Sequence, residues 1–85
     1  MEINNRIRLI GESLKDRIDP STIDFALDYI GYAESVLAFE TLCDHIADYD
    51  VTITTNEYAE IIQIANELKL KIDNRYLYIN PDKEN

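Results

Sequence analysis

Apolar residues return at three- and four-residue steps along most of this chain, and that spacing is the strongest constraint on its fold. It places them on one face of an α-helix but scatters them over both faces of a strand. Ile3, Ile7, Ile10 and Leu14 form one such stripe and predict a helix over about residues 2–17. Gly11 lies inside it at a cost of about 1 kcal/mol relative to alanine, which the stripe overrides. Asp19-Pro20 then restarts the chain, since aspartate can cap a helix and proline sits harmlessly at its first position. The second helix, over about 20–30, turns Ile23, Ala26, Leu27 and Ile30 inward and is expected to stop at Gly31. A third, from about Ala33 to Tyr49, carries Val36, Phe39, Cys43 and Ile46, widened by Leu42 and Tyr49.

The β-branched run from Asp50 to Thr54 reads as an extended loop anchored by Val51 and Ile53. Thr54 and Glu57 have the spacing of a capping box. The fourth helix, over about 55–68, is expected to bury Tyr58, Ile61, Ile62, Ala65 and Leu68. Asp73 can cap one further turn carrying Tyr76 and Leu77, with Tyr78-Ile79 extended as the alternative. The expected fold is therefore all-α: a compact bundle of four helices with a short C-terminal helical turn or extended tail. At 85 residues there is room for one core, so residues 1–79 are expected to form a single domain and 80–85 a polar, frayed tail.

Residues that carry chemistry are sparse. The single cysteine, Cys43, lies on an apolar stripe and reads as a small core residue. The single histidine, His45, is two positions away, so within one helix the two point to opposite sides and form no nucleophile–base pair. Asp44 and Asp48 share a helix face, but an open face lacks the burial that would raise one carboxyl for acid–base work. Asp48-x-Asp50-x-Thr52 echoes the start of a calcium loop, yet Ile53 and Ala59 stand where glycine and glutamate are required. Asp44, His45 and Asp48 read as a solvated face, since no second His or Cys cluster exists to complete a metal site. Gly11 and Gly31, the only glycines, make no phosphate loop. No catalytic, cofactor or metal residue is expected; the chain is expected to act by binding. With one cysteine, no visible signal peptide and no apolar run of about 18 residues, it is expected in the cytosol.

Charge narrows the partner. Seventeen acidic residues against eight basic give −9, which repels nucleic acid and anionic membrane. Between residues 18 and 68 there is no Lys or Arg, while eleven carboxylates run from Asp19 to Glu67. Such a stretch either solvates an acidic protein or holds a surface against a basic partner. Arg6, Arg8, Lys15 and Arg17, outside it, are expected to pair with acidic neighbours. Tyr29, Tyr32, Tyr49 and Tyr58 all lie within it. Tyr58 is read as core, whereas Tyr32 and Tyr49 suit either an interface anchor or boundary packing with a wet hydroxyl.

Residues Glu34-Ser35-Val36-Leu37-Ala38-Phe39-Glu40-Thr41-Leu42-Cys43-Asp44-His45-Ile46 resemble the pattern G-E-x-x-L-A-x-E-x-L-C-D-x-L of MafI-type immunity proteins. The similarity continues through Tyr49-Asp50-Val51-Thr52-Ile53 and Tyr58-Ala59-Glu60-Ile61-Ile62, so that it covers about residues 28–70. Ala33 departs from it, standing where the family usually has glycine, and Leu68-Lys69-Leu70 replaces a methionine-glycine step. The resemblance implies a small partner of a bacterial polymorphic or contact-dependent growth inhibition toxin, which covers the C-terminal toxin domain of a large secreted or surface protein. A nuclease is the expected toxin, an RNase of EndoU type ahead of a DNase. The expected contact residues are Asp28, Tyr32, Glu34, Asp44, Asp48, Tyr49 and Asp50, with Glu40 either interfacial or holding the loop. The alternative is a non-inhibitory acidic adaptor or regulatory subunit for a basic protein.

Overall fold

A computed structural model describes residues 2–82 of the protein. Its regular elements are all helical: α1 (Ile3–Leu14), α2 (Pro20–Gly31), α3 (Ser35–Asp48), α4 (Thr55–Glu67) and the short α5 (Asn74–Tyr78). The all-α expectation of four long helices and a brief C-terminal turn is met. The chain divides into two units, one ending at Leu42 and the other beginning at Cys43, with the boundary inside α3.

In the first unit α1 buries Ile7, Ile10 and Leu14, while Ile3 is only half-buried. The helix stops at Leu14, short of the expected residue 17, because its hydrogen bonding tightens there. The Lys15 N–H donates to Glu12 O and the Arg17 N–H to Leu14 O, three residues back each time. Ile18, 5% exposed, then anchors the link. Gly11 has a packing reason: a Cβ built on it would lie 3.0 Å from both δ-carbons of Leu27, so α1 and α2 approach closely there. Asp19 caps α2 by accepting from the Ser21 N–H (2.8 Å) and hydroxyl (2.7 Å), ahead of Pro20. α2 buries Ile23, Ala26, Leu27 and Ile30, as its spacing requires. Ser35, the first residue of α3, donates its hydroxyl to Asn4 Oδ1 at 2.6 Å.

The second unit repeats the local logic. α4 begins with the expected capping box: Thr54 Oγ1 accepts from the Glu57 N–H (3.0 Å) and Glu57 Oε1 accepts from the Thr54 N–H (2.8 Å). Its buried face is Ile61, Ile64 and Ala65; Tyr58, Ile62 and Leu68, expected inward, are only half-buried. The face is rotated towards Ile64, which leaves Tyr58 and Ile62 on its rim, while Leu68 lies just past the helix end. Partial burial nevertheless pushes the Tyr58 hydroxyl above its ordinary pKa. Ile53 is the real loop anchor at 2% exposed, and Val51 is half-buried. Asp73 caps α5 through the Arg75 N–H (3.1 Å), which turns Tyr76 inward and leaves Leu77 and Tyr78 exposed. Of the tail expected to fray, Asn80–Asp82 form a turn in which the Asp82 N–H donates to Asn80 Oδ1 (2.9 Å). Lys83, Glu84 and Asn85 lie outside the described residues.

α3 corrects two sequence expectations. Ala38, Phe39, Leu42, Cys43 and Ile46 are buried, but Val36 is 38% exposed and Tyr49 is 57% exposed. Val36 lies in the first turn beyond the edge of the stripe, and Tyr49 follows the last helical residue. α3 also begins at Ser35 rather than at about Ala33, whose left-handed backbone cannot continue a helix. α2 stops at Gly31 as expected, but the left-handed residue that closes its ending is Ala33, with φ 60°. Around it the Glu34 N–H donates to Tyr29 O and the Ala33 N–H to Ile30 O, the paired bonds of a Schellman ending. α3 ends in the same way with Asp50 (φ 53°) at the left-handed position, and α4 with Lys69 (φ 62°).

These placements give three expected stability changes, measurable by chemical denaturation. Ala33→Gly should stabilise by about 1 kcal/mol, by removing the Cβ conflict of the left-handed backbone. Gly31→Ala, with open space around its Cβ, should stabilise by roughly 0.5–1 kcal/mol through helix propensity. Gly11→Ala should instead cost about 1 kcal/mol net, because overpacking against Leu27 outweighs propensity. A further test uses Asp19, whose carboxyl is held below its ordinary value of 3.8 by the Ser21 hydroxyl and then the Ser21 N–H. A lowered folded pKa contributes stability above the unfolded value and loses it as pH falls through the folded one. The stability gap between wild type and Asp19→Ala should therefore be full at pH 6 and shrink on acidification towards pH 2. A gap independent of pH would show that the Asp19 carboxylate does not stabilise the start of α2.

Candidate partner-binding surface

Burial of one side of α2 determines what the other side offers. With Ile23, Ala26, Leu27 and Ile30 inward, Phe25, Asp28 and Tyr29 face away, followed by Tyr32 at the helix C-cap. Phe25 is 67% exposed and Tyr32 77% exposed, while Tyr29 is half-buried. The rings of Phe25 and Tyr29 meet edge-to-face, with centroids 6.2 Å apart and planes at 87°. Asp28 and Glu34 are exposed, and the Glu34 backbone closes the helix end. Asp28, Tyr32 and Glu34 of the expected contact set thus belong to the first unit, at the end of α2. Phe25 was not in that set. The signal for it was present: the same spacing that turns Ile23 and Leu27 inward turns Phe25 outward.

The remaining expected residues belong to the second unit, at the end of α3. Asp48 is the last helical residue, Tyr49 follows it and Asp50 takes the left-handed position; all three are exposed. The His45 ring lies 5.8 Å from that of Tyr49 at 42°. Asp50 and Val51 border a groove of about 260 Å³, which Ile46 and Thr52 also line and which Tyr78, Ile79, Asn80 and Pro81 close from the C-terminal side. Asp44 differs from its neighbours. Arg75 donates Nε to its Oδ1 at 2.8 Å, with the two side chains 33% and 49% exposed.

That ion pair shows a carboxylate of the lysine- and arginine-free stretch met by a cation from outside it. Asp24 is likewise met from outside the stretch, by Lys15 Nζ at 2.7 Å, and Lys15 also reaches Glu12 at 2.9 Å. The hydrogen bond to Asp24, then that to Glu12, raises the Lys15 ammonium above its ordinary 10.5. Arg17 donates to Asp16 at 2.7 Å, so the expected pairing of the N-terminal cations is observed for Lys15 and Arg17. Asp28, Asp48 and Asp50 make no ion pair among the described residues. Asp44, His45 and Asp48 do not converge: no group of three or more His, Cys, Asp or Glu among the described residues is arranged to hold a metal ion. Cys43 is buried at 1% exposed. No helix among the described residues is long and apolar enough to cross a membrane.

The Asp44–Arg75 pair is too exposed to hold the second unit together. A double-mutant cycle with Asp44→Ala and Arg75→Ala should give a coupling below about 1 kcal/mol in denaturant titrations. A coupling of several kcal/mol would instead make Asp44 a structural residue. No family model, curated protein or solved structure matches this chain.

Proposed function

We propose that this chain is an immunity protein that binds and neutralises a cognate bacterial toxin domain, a nuclease, with an RNase of EndoU type favoured over a DNase. The observation that carries the reading is the exposure of Asp28, Tyr32, Asp48, Tyr49 and Asp50 within a stretch that contains no lysine or arginine. A nuclease must hold phosphate, so its binding cleft is basic, and exposed carboxylates beside tyrosines, at the end of α2 in one unit and at the end of α3 in the other, each complement it. The carboxylates speed encounter and reject wrong partners, whereas the rings supply the desolvated contact area that slows dissociation. Support for the family resemblance comes from Ala33. The family usually carries glycine there, and the backbone is left-handed at φ 60°, where glycine is favoured.

Co-expression with the toxin domain encoded immediately upstream tests the reading, with bacterial growth and co-purification as readouts. The domain alone should kill, and this chain should silence it in a stable complex. Two variants locate the contact. Asp50→Gly keeps the left-handed helix ending while deleting the carboxylate, and Asp48→Lys reverses an exposed charge at the same end of α3. Together they should weaken binding at least tenfold, mainly through slower association, with the loss largest at low salt. A domain that is harmless alone, or kills equally with this chain present, would point instead to the acidic adaptor.

A further inference from the structure

α2 exposes a set of side chains that solvation does not explain. Phe25, Tyr29 and Tyr32 follow one another at four- and three-residue steps, which puts them on a single helical face. That face is opposite Ile23, Ala26, Leu27 and Ile30, so no rotation of α2 can bury it without exposing the core side. Phe25 has no polar atom to justify 67% exposure, and it is already held edge-on by Tyr29. Asp28 lies on the same face. From Asp19 to Glu34 there is no lysine or arginine, and Lys15, which reaches α2 from outside, is taken up by Asp24 and Glu12.

We infer that the outward face of α2 is a docking surface for an arginine-bearing patch of a basic protein, with Phe25 as its central anchor. The inference deepens the reading above and rests on it for the partner's identity as a toxin. Guanidinium is the group this face fits best: it stacks flat on aromatic rings, pairs bidentately with a carboxylate such as Asp28, and loses less hydration than an ammonium. A second copy of this chain fits poorly, because a two-fold contact would set this acidic, cation-free face against itself in a protein of net charge −9. Nucleic acid could stack on the rings but would bring phosphate against the same carboxylates.

The test has two arms. In the first, the affinity of the free protein for the toxin domain is measured for wild type, Phe25→Ala, Tyr32→Ala and Asp48→Lys. Phe25→Ala should lower affinity tenfold to a hundredfold with an unchanged circular dichroism spectrum, since an exposed helical position accepts alanine. If wild type binds tightly and both Phe25→Ala and Tyr32→Ala bind as wild type does, the α2 face is not the contact and the inference fails while the immunity reading stands. In the second arm, isotope-labelled protein is titrated with nona-arginine and with nona-lysine and followed by nuclear magnetic resonance. The largest shifts should fall on Phe25, Asp28, Tyr29 and Tyr32, and arginine should bind several-fold tighter than lysine. Shifts spread over all carboxylates, or equal for the two peptides, would overturn the inference. This arm does not involve the toxin, so it decides the face even if wild type fails to bind the toxin and the immunity reading falls. Sedimentation of the free protein completes the test: a dimer that Phe25→Ala dissociates would assign the face to a second copy and overturn the proposal.

Discussion

The recurring constraint in this protein is how its helices end. α2, α3 and α4 each stop with the same pair of reverse hydrogen bonds, closed around Ala33, Asp50 and Lys69 in the left-handed conformation. Such an ending satisfies carbonyls that would otherwise lack partners and turns the chain sharply within two residues. Because each turn is tight, a helix can direct its apolar stripe inward and the next can start after a short link. None of these residues is glycine, so each carries a Cβ where it is disfavoured by about 1–2 kcal/mol. Aspartate tolerates this conformation better than most residues, and at position 50 the strained turn also holds a carboxylate out at the end of α3.

Part of the negative charge is met by cations from outside the central stretch or by helix caps. The central stretch has no cations of its own, and the flanking segments supply Lys15 to Asp24 and Arg75 to Asp44. Other carboxylates are occupied by capping, Asp19 at α2 and Glu57 at α4. After these, Asp28, Asp48 and Asp50 remain exposed beside tyrosines near helix ends. An acidic protein kept soluble by charge alone would have no reason to expose aromatic rings there. A binding protein would, because carboxylates set the approach and the rings make the dry contact.

Much of the fold was legible because its signals are local. Asp19-Pro20, the Thr54–Glu57 box and Asp73 all cap where their spacing predicted, since a cap involves residues two or three apart. The helix stops were harder. α2 does end at Gly31, but the left-handed residue that closes the ending is Ala33, two positions further on. The candidate surface was half legible. Tyr32, Tyr49 and their acidic neighbours stand out by charge and residue type, whereas Phe25 is marked only by the α2 periodicity that turns it outward.

The sequence by itself determined the all-α class, the number of long helices, the capped starts of α2, α4 and α5, the inward side of α2 and the sign of the charge, all of which arise between residues a few positions apart. Tertiary structure alone decided that α4 rolls towards Ile64, that Val36 stays in water, that Gly11 is needed under Leu27, and that Asp44 is neutralised by Arg75. Those outcomes depend on which helix packs against which and on residues far apart in the chain reaching one another. Local spacing limits the choices, but packing and long-range pairing select among them.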